Sequence, residues 1–153
     1  MTAYWKDRVF VLIQLGLFLL YVLPIELFNG YVWYLFILVA GFLLAVIGFL
    51  TLLTAIWQLR YHLSPFPTPL PKGSLVQSGI FQWVRHPIYA GILALTYGWA
   101  LYTSSYWKLI VATSLYLLFY FKARYEEQLL AKKYPDYPAY SQSTGRFMPR
   151  FFQ

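Results

Sequence analysis

An all-α, polytopic membrane protein with about four transmembrane helices is the fold class the sequence predicts. The 153 residues are 60% hydrophobic and only 11% charged, where soluble domains carry about 25% charged residues. A soluble core of this size cannot hide so much apolar surface, so lipid is the expected solvent. The apolar residues gather in four runs: 9–27, 31–57, 88–106 and 107–121. Lys6 and Arg8 precede the first, and Arg60, Lys72 and Arg85 lie between the second and third. Lys122, Arg124, Lys132, Lys133, Arg146 and Arg150 follow the fourth, while Lys108 alone falls in a connection on the opposite side. Eleven of the twelve basic residues therefore share one face, which the positive-inside rule makes cytoplasmic together with both termini.

The elements follow in order. A span needs about 20 residues to cross roughly 30 Å of hydrocarbon, and residues 9–27 meet that, with Pro24 expected to bend the last turn. The run offers no small-x-small cleavage pattern near Tyr21 to Glu26, so it is kept as a helix. Asn29-Gly30 marks a tight turn into residues 31–57, which are 27 long and uncharged, with Gly41 and Ala45 as a small-xxx-small pair. Aromatics such as Tyr31, Trp33, Tyr34, Trp57, Tyr102, Tyr106 and Trp107 sit near span ends as an interfacial belt. Pro65, Pro67, Pro69 and Pro71 exclude helix between residues 64 and 73 and predict an extended connector. Pro87 suits the first position of a third helix, whose Ala90, Gly91, Ala94 and Gly98 form a smooth stripe. Ser104-Ser105 gives a reversal, and the fourth helix continues past the membrane to stop before Pro135. The organisation is one domain, residues 1–153: an N-terminal hairpin (1–60), a proline-rich cytoplasmic connector (61–86), and a second hairpin with its tail (87–153).

The net charge of +7 sits beside lipid head groups, so no nucleic-acid partner is expected. The absence of cysteine excludes disulfides and a thiol nucleophile, and His62 and His86 are too few for a histidine-based metal centre.

Four polar groupings border the cytoplasmic interface: Leu75-Val76-x-Ser78-Gly79, Arg85-His86-Pro87-x-Tyr89-x-Gly91, Arg124-x-Glu126-Glu127, and the tail from Tyr134 to Pro149. Singly, each is an ordinary head-group anchor or solvated helix surface. Together they supply complementary parts. The helix start at Pro87 offers free N–H groups for a carboxylate, Tyr89 an aromatic face, and the glutamates negative charge for an ammonium or sulfonium group.

With its order and spacing, the run from Leu75 through Phe81, Arg85-His86-Pro87-x-Tyr89-x-Gly91, Glu126-Glu127-x-x-Leu130 and Tyr137-x-x-Tyr140 resembles the isoprenylcysteine carboxyl methyltransferase family. That family is related to the membrane phospholipid methyltransferases. The resemblance covers roughly Ser64 to Pro149. It implies S-adenosylmethionine as methyl donor, held in a cytoplasmic pocket at the end of the last helical hairpin. The implied donor contacts are Ser74, Leu75, Val76, Phe81, His86, Pro87, Ile88, Tyr89 and Glu126. The family's substrate-side arginine, one turn before the glutamate, is Lys122 here, and Arg124 lies two residues before it. Lys122 or Arg124 is expected to orient the acceptor, with Glu126 or Glu127 taking a proton if the acceptor is an amine. An amphiphilic or lipid-like acceptor entering from the bilayer follows from the long apolar spans. Prenylcysteine itself does not follow, because the chain is shorter than the eukaryotic prenyl-protein enzymes. NADPH-dependent sterol reductases have a related Arg-His-Pro signature, but Ile88 and Ile92 depart from their pattern. A lipid-binding scaffold without catalysis is the third class, and it predicts no cavity beside His86 and Glu126.

Overall fold

The computed structural model describes residues 2–25, 34–60, 64–71 and 73–150. Five α-helices appear in these residues: α1 (Thr2–Val22), α2 (Leu35–Leu59), α3 (Pro87–Tyr102), α4 (Tyr106–Lys133) and α5 (Tyr137–Ser143). A 3-10 turn, Gly79–Gln82, precedes α3. No strand forms among the described residues. One isolated parallel bridge joins Val84 to Gly145.

α1 begins seven residues earlier than the apolar run, so the helix includes Lys6, Asp7 and Arg8. It ends at Val22 rather than bending through Pro24, because proline removes a donor and clashes with the preceding turn. The expected Asn29-Gly30 turn lies outside the described residues, as do Tyr31 and Trp33.

α2 is the one described helix long and apolar enough to cross a membrane by length and composition alone. Its faces are inverted relative to a soluble helix. Gly41, Ala45, Gly48 and Ala55 are buried, while Phe42, Leu43, Ile47 and Leu50 are exposed. That distribution suits apolar surroundings, where close backbone packing rather than burial of large side chains drives association. The buried stripe meets α3 backbone to backbone. A Cβ at Gly48 would lie 2.8 Å from the Gly91 carbonyl, and one at Gly98 would lie 2.6 Å from the Gly41 carbonyl. The small-residue stripes expected on both helices thus face each other.

α3 starts at Pro87, as its sequence predicts, and has 16 residues. That is about 24 Å, short of a full hydrocarbon crossing. The reversal falls at Ser104, whose φ of 50° is left-handed, and Ser105 caps α4 by accepting from the Lys108 N–H at 3.3 Å. α4 then runs 28 residues without a break and ends ahead of Pro135.

α3 packs on α2 and α4, and α4 also packs on α1. Leu93, Leu115 and Phe119 form the core between α3 and α4, with Leu17 and Phe18 of α1 against it. Polar ties fix α1 across the bundle: Tyr21 donates to the Thr96 carbonyl at 2.6 Å, and Trp107 donates to the Leu20 carbonyl at 2.9 Å.

Candidate active site

One cavity of about 470 Å³ collects residues from α1 to α5, within the range of small-molecule sites. α1 contributes Gln14, α2 Leu52, Ile56 and Leu59, α3 Pro87, Ile88, Tyr89 and Ile92, and α4 Lys122, Glu126 and Leu130. Residues 64–70 and 73–76 of the connector supply further wall, together with Phe81, Arg85 and His86, and Tyr134, Tyr137 and Tyr140 complete it.

The α3 side is built from an aromatic stack. His86 caps the helix, and three residues later Tyr89 lies on the same face. Their rings are nearly parallel, 9° apart with centroids at 5.4 Å. Tyr89 in turn stacks on Phe119 of α4 at 4.7 Å. The Tyr89 hydroxyl donates to Glu126 Oε2 at 2.8 Å, and His86 Nδ1 lies 3.8 Å from the same oxygen.

Lys122 is 1% exposed and holds three elements together. Its ammonium donates to Gln14 Oε1 at 2.7 Å and to the Pro65 carbonyl at 3.0 Å, and it sits 5.3 Å above the Tyr89 ring. A buried ammonium with hydrogen bonds and an aromatic face is well compensated.

Glu127, one residue on, turns away into an ion cluster. Its Oε1 accepts from Arg85 Nε at 3.1 Å, His86 Nε2 at 3.2 Å and Arg146 Nε at 3.0 Å. Its Oε2 accepts from Arg146 Nη2 at 2.7 Å. Burial pushes this carboxyl up, but hydrogen bonds from His86 and Arg146 and the Arg85 charge outweigh it and hold Glu127 well below the usual carboxylate range.

The coil walls are tied by carbonyl contacts from α4 and α5. Lys133 donates to the Leu70 and Pro71 carbonyls, and the Tyr134 hydroxyl donates to Gly73 at 2.6 Å. Tyr140 donates to the Phe81 carbonyl at 2.6 Å, and burial pushes its hydroxyl up to about 12, so it stays protonated. Gly79 takes a left-handed φ of 63° and lies against Gln58, whose Oε1 accepts from the Ile80 N–H at 2.9 Å.

All nine residues named from the sequence as donor contacts line this cavity: Ser74, Leu75, Val76, Phe81, His86, Pro87, Ile88, Tyr89 and Glu126. Of the three residues expected to act in catalysis, Lys122 lines it too. Arg124 and Glu127 do not. Arg124 is exposed on α4, and Glu127 is committed to its arginines and His86. Sequence reasoning missed Gln14, and it placed Arg146 in the tail grouping without giving it a partner. Gln14 carried a signal, as a lone amide inside an apolar run, where polar side chains usually face the bundle interior.

No curated protein and no solved structure matches the chain. A family model does: the phospholipid methyltransferase model matches residues 36–137. The match runs from the start of α2 to the first residue of α5 and takes in every residue named as a donor contact. It spans two thirds of the sequence, and with the cavity at its centre the chain belongs to the phospholipid methyltransferase family.

Proposed function

We propose that the protein is a multi-pass membrane methyltransferase that transfers a methyl group from S-adenosylmethionine to an amphiphilic or lipid-like acceptor. The observation that carries this reading is the convergence of the nine named residues, drawn from the connector, α3 and α4, on one cavity inside the family-matched region.

The residues fit such a donor. Glu126 brings carboxylate charge to a mostly apolar and aromatic wall, as a sulfonium or ammonium requires. The Tyr137 hydroxyl is buried at that wall with no hydrogen-bond partner among the described residues, so a bound polar ligand has a donor to engage. When bound, S-adenosylmethionine supplies an electrophilic methyl group on a cationic sulfur. The chain's own residues do the rest by orientation and exclusion of water. His86 and Tyr89 present parallel ring faces, and Tyr89 fixes the Glu126 carboxylate. Lys122 holds the connector against α1 and α3, and α2 adds Leu52 and Ile56 to the wall. Those apolar residues suit the acceptor's hydrocarbon end, and an acceptor amine would find Glu126 as the acidic group within the cavity.

The membrane arrangement belongs to the same proposal. α1 to α4 cross or enter the bilayer, with both termini on the cytoplasmic side that the eleven basic residues mark. The test is incubation of the purified protein with a deuterated methyl donor and a membrane lipid extract, followed by mass spectrometry. A deuterated methyl group in an amphiphile, lost in His86→Ala and Glu126→Ala, is the expected result. No incorporation, together with no donor binding, contradicts it.

A further inference from the structure

The C-terminal tail beyond residue 137 lies outside the family-matched region, yet it is docked on the cavity-forming motif. The Arg85 and His86 N–H groups donate to the Gly145 and Arg146 carbonyls at 2.8 and 3.1 Å, and the Gly145 N–H donates to the Trp83 carbonyl at 3.2 Å. Arg85 also donates from Nη1 to the Ser141 carbonyl at 2.6 Å and to the Thr144 carbonyl. A Cβ at Gly145 would collide with the Met148 carbonyl, so the tail can turn back there only without a side chain. This path delivers the Arg146 guanidinium to Glu127 in a two-point grip, at 3.0 and 2.7 Å.

The grip reaches the cavity through two lining side chains, Arg85 and His86, and of these His86 belongs to the aromatic stack. Glu127 accepts from His86 Nε2, and His86 is 6% exposed and lines the cavity. With Nε2–H held by a carboxylate, the imidazole has one tautomer in its neutral form and one ring orientation, parallel to Tyr89. Phe147, next to Arg146, packs edge-on against the His86 ring with centroids 6.2 Å apart.

We propose that Arg146 and Glu127 are positioning residues for the methyl donor, acting through His86, so that the C-terminal strap is a working part of the site. Neither residue lines the cavity. The inference rests on the donor reading above and deepens it by assigning a role to Glu127, inside the family-matched region, and to Arg146, outside it, neither of them in the lining.

The test is calorimetric titration of S-adenosylmethionine into the purified full chain and its Arg146→Ala, Arg146→Lys and Glu127→Gln variants, with Gln128→Ala as an exposed neighbour for comparison. Arg146→Ala is expected to weaken donor binding about tenfold, the worth of one charge-assisted hydrogen bond. Arg146→Lys keeps the charge but loses the planar fork, so it falls between Arg146→Ala and wild type. Gln128→Ala matches wild type. The second readout is ¹⁵N resonances of the imidazoles. The chain has two histidines, so a His62→Gln background leaves His86 alone. A fixed Nε2–H form in that background, averaged between tautomers after Glu127→Gln, supports positioning. Wild-type affinity in Arg146→Ala and Glu127→Gln overturns the inference while leaving the donor reading intact. Wild-type protein that binds no donor overturns both. If Arg146→Ala does not fold, Arg146→Lys decides: weakened binding with an unchanged thermal transition supports the inference, and wild-type affinity overturns it.

Discussion

The Tyr89 hydroxyl donates to Glu126 at 2.8 Å and joins the first turn of α3 to the C-terminal half of α4 at the cavity wall. The same ring stacks on His86 and on Phe119. Tyr89→Phe therefore removes one hydrogen bond to a carboxylate and leaves the stack in place. Donor affinity is expected to fall about tenfold, with a thermal transition close to wild type, as titration and a melting scan of the same sample would report.

The glycine contacts between α2 and α3 give two opposite expectations. Gly98→Leu forces a side chain into the Ala45 backbone and is expected to cost at least about 3 kcal/mol, or to prevent folding. A Cβ at Gly16 meets nothing within 4 Å among the described residues, so Gly16→Ala is expected to be neutral or stabilising by about 0.5 kcal/mol. Denaturation midpoints in detergent measure both.

The acid limb of stability is assigned to Glu127. Its carboxyl is held below the ordinary value in the folded protein, so its contribution is complete above the unfolded value of about 4.3. That contribution is lost as pH falls from there through the lower folded value. Glu127→Gln is expected to be less stable than wild type at pH 7, by about 3 kcal/mol for a broken buried cluster, and to show a flatter loss below pH 4. Melting curves across pH 3 to 7 would check the sign.

The absence of cysteine makes the membrane arrangement directly measurable. Thr103→Cys sits in the α3–α4 reversal and Gln142→Cys at the exposed side of α5. In intact cells, a membrane-impermeant maleimide is expected to label the first and spare the second, with both labelled after permeabilisation. The reverse pattern would invert the proposed orientation.

Much of the site was legible because its chemistry is local. Pro87 after Arg85-His86 fixes a helix start, and Tyr89 follows His86 by three residues, so both face one way. Ser104-Ser105 and Pro135 similarly mark the limits of α4. Hydropathy located the apolar runs but not the helices. Residues 2–8 are helical despite Lys6, Asp7 and Arg8, because a helix satisfies its own backbone whether or not its flanks are apolar. Contacts between distant polar residues were out of reach. Lys122 meets Gln14 across 108 positions, and Arg146 reaches Glu127 through a tail path that depends on Gly145. No spacing rule connects such pairs. For the same reason Glu127 looked like a partner of Glu126, although successive helix positions point about 100° apart and lead here to different neighbours.

The central claim is that the cavity between the connector, α3 and α4 holds the methyl donor. Ultraviolet crosslinking of S-adenosylmethionine carrying a radiolabelled methyl group, followed by peptide mapping of the full chain, tests it most directly. Saturable label confined to peptides containing residues 64–92 or 122–140, and competed by unlabelled donor, is the predicted result. Label that does not saturate, or that maps to the lipid-facing side of α2 or to the α3–α4 reversal, would contradict it.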